Sequence, residues 1–86
     1  MRGFTVIWWP PAQDDLALIW LDANLRGAVT DAANKIDQEL SEAPDQKGRA
    51  KHECLRELTV QPLVIQFSID DEDRQVTIWS VQLSHE

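Results

Sequence analysis

The segment from Arg56 to Leu83 constrains the fold of this chain more than any other, because it holds two alternating apolar strands joined across an acidic turn. Leu63, Ile65, Phe67 and Ile69 share one side of the first strand, and the period of two continues through Val76-Thr77-Ile78-Trp79-Ser80-Val81. Between them, Asp70-Asp71-Glu72-Asp73-Arg74 supplies short polar side chains that accept turn geometry and stay solvated. An antiparallel hairpin follows from this pattern.

The elements upstream decide what the hairpin belongs to. Phe4-Thr5-Val6-Ile7-Trp8-Trp9 is β-branched and aromatic and stops at Pro10-Pro11, which predicts a first strand with a hard end. Proline costs nothing in a first helical turn, and Leu16, Ile19, Trp20 and Ala23 recur at helical spacing, predicting an amphipathic helix from about Pro11 to Asp22. Asp14 and Asp15 near its start suit the helix dipole. After a break at Asn24 to Gly27, Val29, Ala32, Ala33, Ile36 and Leu40 mark the inner face of a second helix. Ser41 to Gly48 reads as a loop, and Cys54 to Val60 as a strand ending at Gln61-Pro62. The order strand-helix-helix-strand-strand-strand predicts one α+β domain over residues 1–86. Its two layers are a helical hairpin and a four-stranded, mainly antiparallel sheet. One apolar stripe per helix covers only one sheet face and leaves the other partly open for function.

At 86 residues and 43% hydrophobic composition the chain has material for a single core. Its single cysteine, Cys54, excludes an internal disulfide, and without a leader pattern or a long apolar run the expected location is the cytoplasm, away from membranes. A net charge of -7 sets the global field against free nucleic acid and anionic surfaces. Lys47, Arg49, Lys51 and Arg56 nevertheless cluster, with His52 among them. Such a cluster could face phosphate, although charge runs more often serve solubility.

Other constellations carry less chemistry. His52 and Cys54 resemble half of a metal site, but tetrahedral zinc needs more ligands and His85 is the one other histidine, so neither metal nor cofactor is expected. Cys54 and His85 have nothing to bring them together as nucleophile and base, and Asp70 to Asp73 lacks the glycine and spacing of a calcium loop. Asp14 and Asp15 diverge on a helix and form no catalytic pair. Of the four tryptophans, Trp20 belongs to the apolar helix stripe, while Trp8 and Trp9 must face opposite sides of a strand. Whichever of Trp8 and Trp9 faces away is a candidate partner anchor.

Trp9-Pro10-Pro11-Ala12-Gln13-Asp14-Asp15-Leu16, Leu55-Arg56-Glu57-Leu58, Pro62 to Asp70 and Asp73 to Val81 together resemble the RelE/ParE-type toxins of bacterial toxin-antitoxin modules. That resemblance implies a growth-inhibiting or plasmid-stabilising protein held by a cognate antitoxin and acting on translation or on a topoisomerase such as gyrase. The messenger-cleaving members use basic residues on the sheet and a C-terminal aromatic. Here the arginine position at the start of the third strand corresponds to Leu63, the tail reads Gln82-Leu83-Ser84-His85-Glu86, and there is no tyrosine. The resemblance therefore leaves endoribonuclease activity doubtful. A ribonuclease with a relocated site would need Lys47, Arg49, Lys51, His52 and Arg56 to converge in one pocket. The alternative is a non-toxic interaction module on the same fold, paired with itself as a homodimer or with another protein.

Overall fold

The structure is a computed structural model that describes residues 3–21, 24, 26–44, 48–50 and 55–84. In chain order it contains β1 (Thr5–Trp8), α1 (Pro10–Trp20), α2 (Arg26–Glu42), β2 (Arg49–Ala50), β3 (Arg56–Val60), β4 (Leu63–Asp70) and β5 (Gln75–Leu83). The strands form one five-stranded sheet in the order β1-β5-β4-β3-β2. The expected four strands are all present, and the fifth is the two-residue β2, which lies at the edge of the region expected to be loop. Too short to show a period, it exists because Arg49 and Ala50 pair with Glu57 and Arg56. β1 runs parallel to β5 and the remaining pairs are antiparallel. The helical hairpin supplies the crossover that a parallel pair requires.

Both helices lie on one side of the sheet. Val29, Ala32, Ile36 and Leu40 of α2 are buried against Leu63, Ile65, Phe67, Val76, Ile78 and Val81, and Ala12 of α1 joins them. Leu16 and Ile19 pack at the margin of this core, as their spacing predicts. Trp20 departs from the expected stripe. It is 41% exposed, and its indole N–H donates to the Thr30 hydroxyl at 3.0 Å while the Arg26 guanidinium sits 4.6 Å above its ring. An indole has a polar edge to satisfy, and the start of α2 offers it a partner that the core does not. Because α1 begins at Pro10, Asp14 and Asp15 fall beyond its first turn, where the helix dipole has little hold.

Trp8 turns toward the helices, and its indole N–H donates to Asp37 Oδ1 of α2 at 3.0 Å. The Phe4 amide donates to the Ser41 carbonyl at 2.8 Å, so β1 is tied to α2 at both ends. Asp37→Ala should lower stability by about 1 kcal/mol, and thermal unfolding of the variant checks this.

Gly48 precedes β2 with φ +70, and a Cβ there would collide with the Glu57 carbonyl of the paired strand. Glycine is required by both the left-handed backbone and the close approach. Gly48→Ala should destabilise this edge by about 1–3 kcal/mol. Hydrogen exchange should accelerate at Glu57 and Leu58 before it does in β4 if the effect is confined to the edge. Among the described residues no helix is long and apolar enough to cross a membrane.

Candidate functional site

The open face of the sheet follows from strand alternation. Val6 and Trp8 face the core, so Ile7 faces away and is 37% exposed. On β4 the outward positions are Val64, Gln66 and Ser68, since Leu63, Ile65 and Phe67 are fully buried. On β5 the alternation is interrupted. Gln66 pairs with Ser80 and Phe67 with Ile78, leaving Trp79 as an extra residue in a β-bulge. The period of two expected through Val81 is therefore broken at Trp79, and Val81 returns to the core.

The bulge gives this face its main feature. Trp79 lies over β4 with its indole N–H donating to the Ser68 hydroxyl at 2.8 Å, which is the diagonal contact expected beyond the Ser68–Thr77 pair. Trp9, at the end of β1, sets its ring 5.2 Å from that of Trp79 with 50° between the planes. Its backbone N–H donates to the Ile78 carbonyl, so the start of α1 holds this ring beside the bulge. Trp9 is 44% exposed and Trp79 41%. Beside the pair lie the hydroxyl and amide side chains of Ser68, Thr77, Ser80 and Gln66, with Ser80 donating to Gln66 Oε1 at 3.4 Å.

Trp9 is thus the more exposed of the first two tryptophans, whereas Trp8 is half-buried against α2. Lys47, Lys51 and His52 lie outside the described residues, as do Cys54 and His85. The two described cations of the basic cluster are on opposite faces. Arg49 pairs with Glu57 and shares with it and Thr59 a shallow depression on the open side. Arg56 pairs with Phe67, so it is on the helix side, and its guanidinium donates to the Gly48 carbonyl at 3.3 Å. Arg56 thereby helps fasten the β2 edge instead of turning toward Arg49. Leu63 is fully buried beneath the helices, so an arginine there would point into the core and not onto the open face. Alternation fixes that direction, because its neighbour Val64 takes the outward place. No group of three or more histidine, cysteine, aspartate or glutamate side chains among the described residues is arranged to hold a metal ion.

Two exposed leucines also escaped the sequence pattern. Leu18 of α1 and Leu21 just after it are 67% and 61% exposed. Their signal was present in Ala17-Leu18-Ile19-Trp20-Leu21, which is too uniformly apolar for a helix with a single inward stripe. Trp79 had a signal as well, since Val76 and Ile78 have even numbers whereas Val81 and Leu83 have odd ones, a change of phase that requires one extra residue.

No protein-family model and no curated protein matches this sequence. Solved structures do. A chain of the RelBE2 toxin-antitoxin complex from Mycobacterium tuberculosis superposes with a TM-score of 0.76 at 25% identity, over 100% of this chain and 97% of that one. A chain of the chromosomal ParDE system from P. aeruginosa superposes with a TM-score of 0.77 at 19% identity, over 99% of this chain and 100% of that one. The chain has the RelE/ParE-type toxin fold.

Proposed function

We propose that this protein is the toxin-like member of a toxin-antitoxin pair, held by a cognate antitoxin, and that any action on translation or on a topoisomerase proceeds by binding and not by RNA cleavage. The observation that carries the pairing is the end-to-end likeness to chains from two toxin-antitoxin systems.

The chemistry of the open face supports the second half. Cleavage through a 2'-hydroxyl needs a proton acceptor, a proton donor and cations that stabilise phosphate charge as it develops. The described outward residues of β4 and β5 offer hydroxyls, amides and an indole, and Arg49 lies at the far edge opposite Glu57. With Arg49 and Arg56 on opposite faces, these two cannot clamp one phosphate. Apolar surface at Trp9, Trp79, Leu18 and Leu21 suits protein recognition better.

Induced expression, with and without the product of the adjoining reading frame, tests the pairing. Growth arrest by this chain alone, relieved by the neighbour, is the expected result. Arrest should persist in an Arg49→Ala/Arg56→Ala variant shown to be folded by circular dichroism. Loss of arrest in that folded variant, together with cleaved messenger from the parent, would favour a relocated nuclease site. The exposed tryptophans also favour a second reading, a non-toxic interaction module, and unimpeded growth with soluble protein that still binds its neighbour selects it.

A further inference from the structure

The open-face aromatic surface has a charge frame that specifies its occupant. Ile7, Trp79 and Trp9 form an apolar ribbon along β1 and the bulge of β5. Four residues of extended chain, about 13 Å, separate Thr5 from Trp9. At the Thr5 end the backbone N–H donates to the Arg74 carbonyl at 2.9 Å, which places the turn carrying Asp70, Asp71, Glu72 and Asp73 beside the ribbon. At the Trp9 end the chain passes into α1 on the helix side of the sheet. The one cation in the turn, Arg74, stacks 5.3 Å over Phe4, whose ring packs against the core on the helix side. An apolar stripe therefore has a cluster of acids at its Thr5 end.

We infer that the Ile7–Trp79–Trp9 ribbon docks a cationic amphipathic segment of the antitoxin, apolar where it meets the indoles and bearing Lys or Arg on the flank that meets the β4–β5 turn. This rests on the pairing proposed above and adds the place and the charge of the contact. The two tilted indoles, that of Trp79 hydrogen-bonded to Ser68 and that of Trp9 resting against it, are in contact before a partner arrives. The hydrogen bond of Trp79 and the ring contact reduce the side-chain entropy lost on binding, which favours an interface anchor. The acids set the sign. With a chain charge of -7 they repel an acidic partner segment and speed the encounter with a basic one. Indoles also stack on nucleic acid bases, but the carboxylates of the turn and the chain's net charge repel a phosphate backbone.

The test uses the purified full chain and the purified product of the adjoining reading frame, titrated by calorimetry. Trp9→Ala/Trp79→Ala should weaken binding by about 100-fold or more. Trp9→Ala, which leaves the Trp79–Ser68 hydrogen bond in place, should weaken it by at least about 10-fold and guards against misfolding of the double variant. Asp71→Asn/Asp73→Asn should slow association, and raising salt should weaken the parent more than this variant. A tight complex indifferent to the tryptophans, but abolished by Leu18→Lys/Leu21→Lys, would overturn the location while leaving the pairing intact. Binding that strengthens when the aspartates are neutralised would overturn the charge assignment. Tryptophan-dependent binding of a single-stranded RNA oligonucleotide with no tryptophan-dependent protein binding would overturn the choice of partner. Absence of any complex would reject the pairing itself, and the docking with it.

Discussion

Phe67→Ala is expected to lower stability by about 3–5 kcal/mol, enough to unfold much of the population of so small a domain. Phe67 is fully buried at the centre of β4, between Val76 and Ile78 of β5 on one side and the helices on the other. Removing the ring takes away apolar burial and leaves a cavity that short, mutually braced elements cannot collapse to fill. Phe67→Leu should cost about 1–1.5 kcal/mol, because most of the volume remains. Urea midpoints of the two variants check the ranking. Equal losses would mean that the site tolerates collapse and that the core is looser than its packing indicates.

The second large effect concerns single-residue deletions in β5. Deleting Trp79 removes the bulge residue, after which Val76, Ile78 and Val81 still face the core and Thr77 and Ser80 still face outward. Such a variant should fold, losing about 1–2 kcal/mol with the Ser68 hydrogen bond and the Trp9 contact. Deleting Thr77 instead absorbs the bulge by exchanging the places of Ile78 and Trp79. Ile78 is then exposed and an indole is driven into the close-packed space it occupied, at a cost of about 3 kcal/mol or more. Dispersed amide resonances from the first variant and collapsed ones from the second are the expected spectra. A folded Thr77 deletion beside an unfolded Trp79 deletion would contradict the assignment of Trp79 as the extra residue.

These two experiments bear on different consequences of one sheet. Phe67 measures what holds the domain together, and Trp79 measures how the domain buys an exposed aromatic without losing its core. A bulge is suited to that purpose, since it re-aims a side chain while the strand on either side keeps its pairing. The same residue that interrupts β5 then provides half of the only described aromatic pair on the open face. On the docking inferred above, the deletion should reduce partner binding even though it spares the fold.

Much of this architecture was legible from residue types alone. The hairpin of β4 and β5, the first strand stopped by Pro10 and Pro11, and the inner face of α2 are local patterns, and each repeats at the period of the element it forms. The buried set Val29, Ala32, Ile36 and Leu40 is the helical spacing made visible. The RelE/ParE-type resemblance was carried by the order of those elements, and the superpositions agree with it. The candidate site was less legible. Lys47, Arg49, Lys51, His52 and Arg56 are close in sequence, but closeness along a strand says nothing about convergence, since neighbours alternate between faces. Arg49 and Arg56 illustrate this, separated by the register of β2 and β3 onto opposite sides.

The sequence by itself determined six of the seven elements, their order and the inner faces of α2 and β4, because hydrophobic periodicity and proline stops act within a few residues of one another. Only the tertiary structure decided that β1 lies parallel beside β5, that Trp8 is fastened to Asp37 while Trp9 meets Trp79, and that Leu63 points inward. Each of those outcomes depends on register between segments far apart in the chain, and a one-residue difference in register exchanges the core face for the open one.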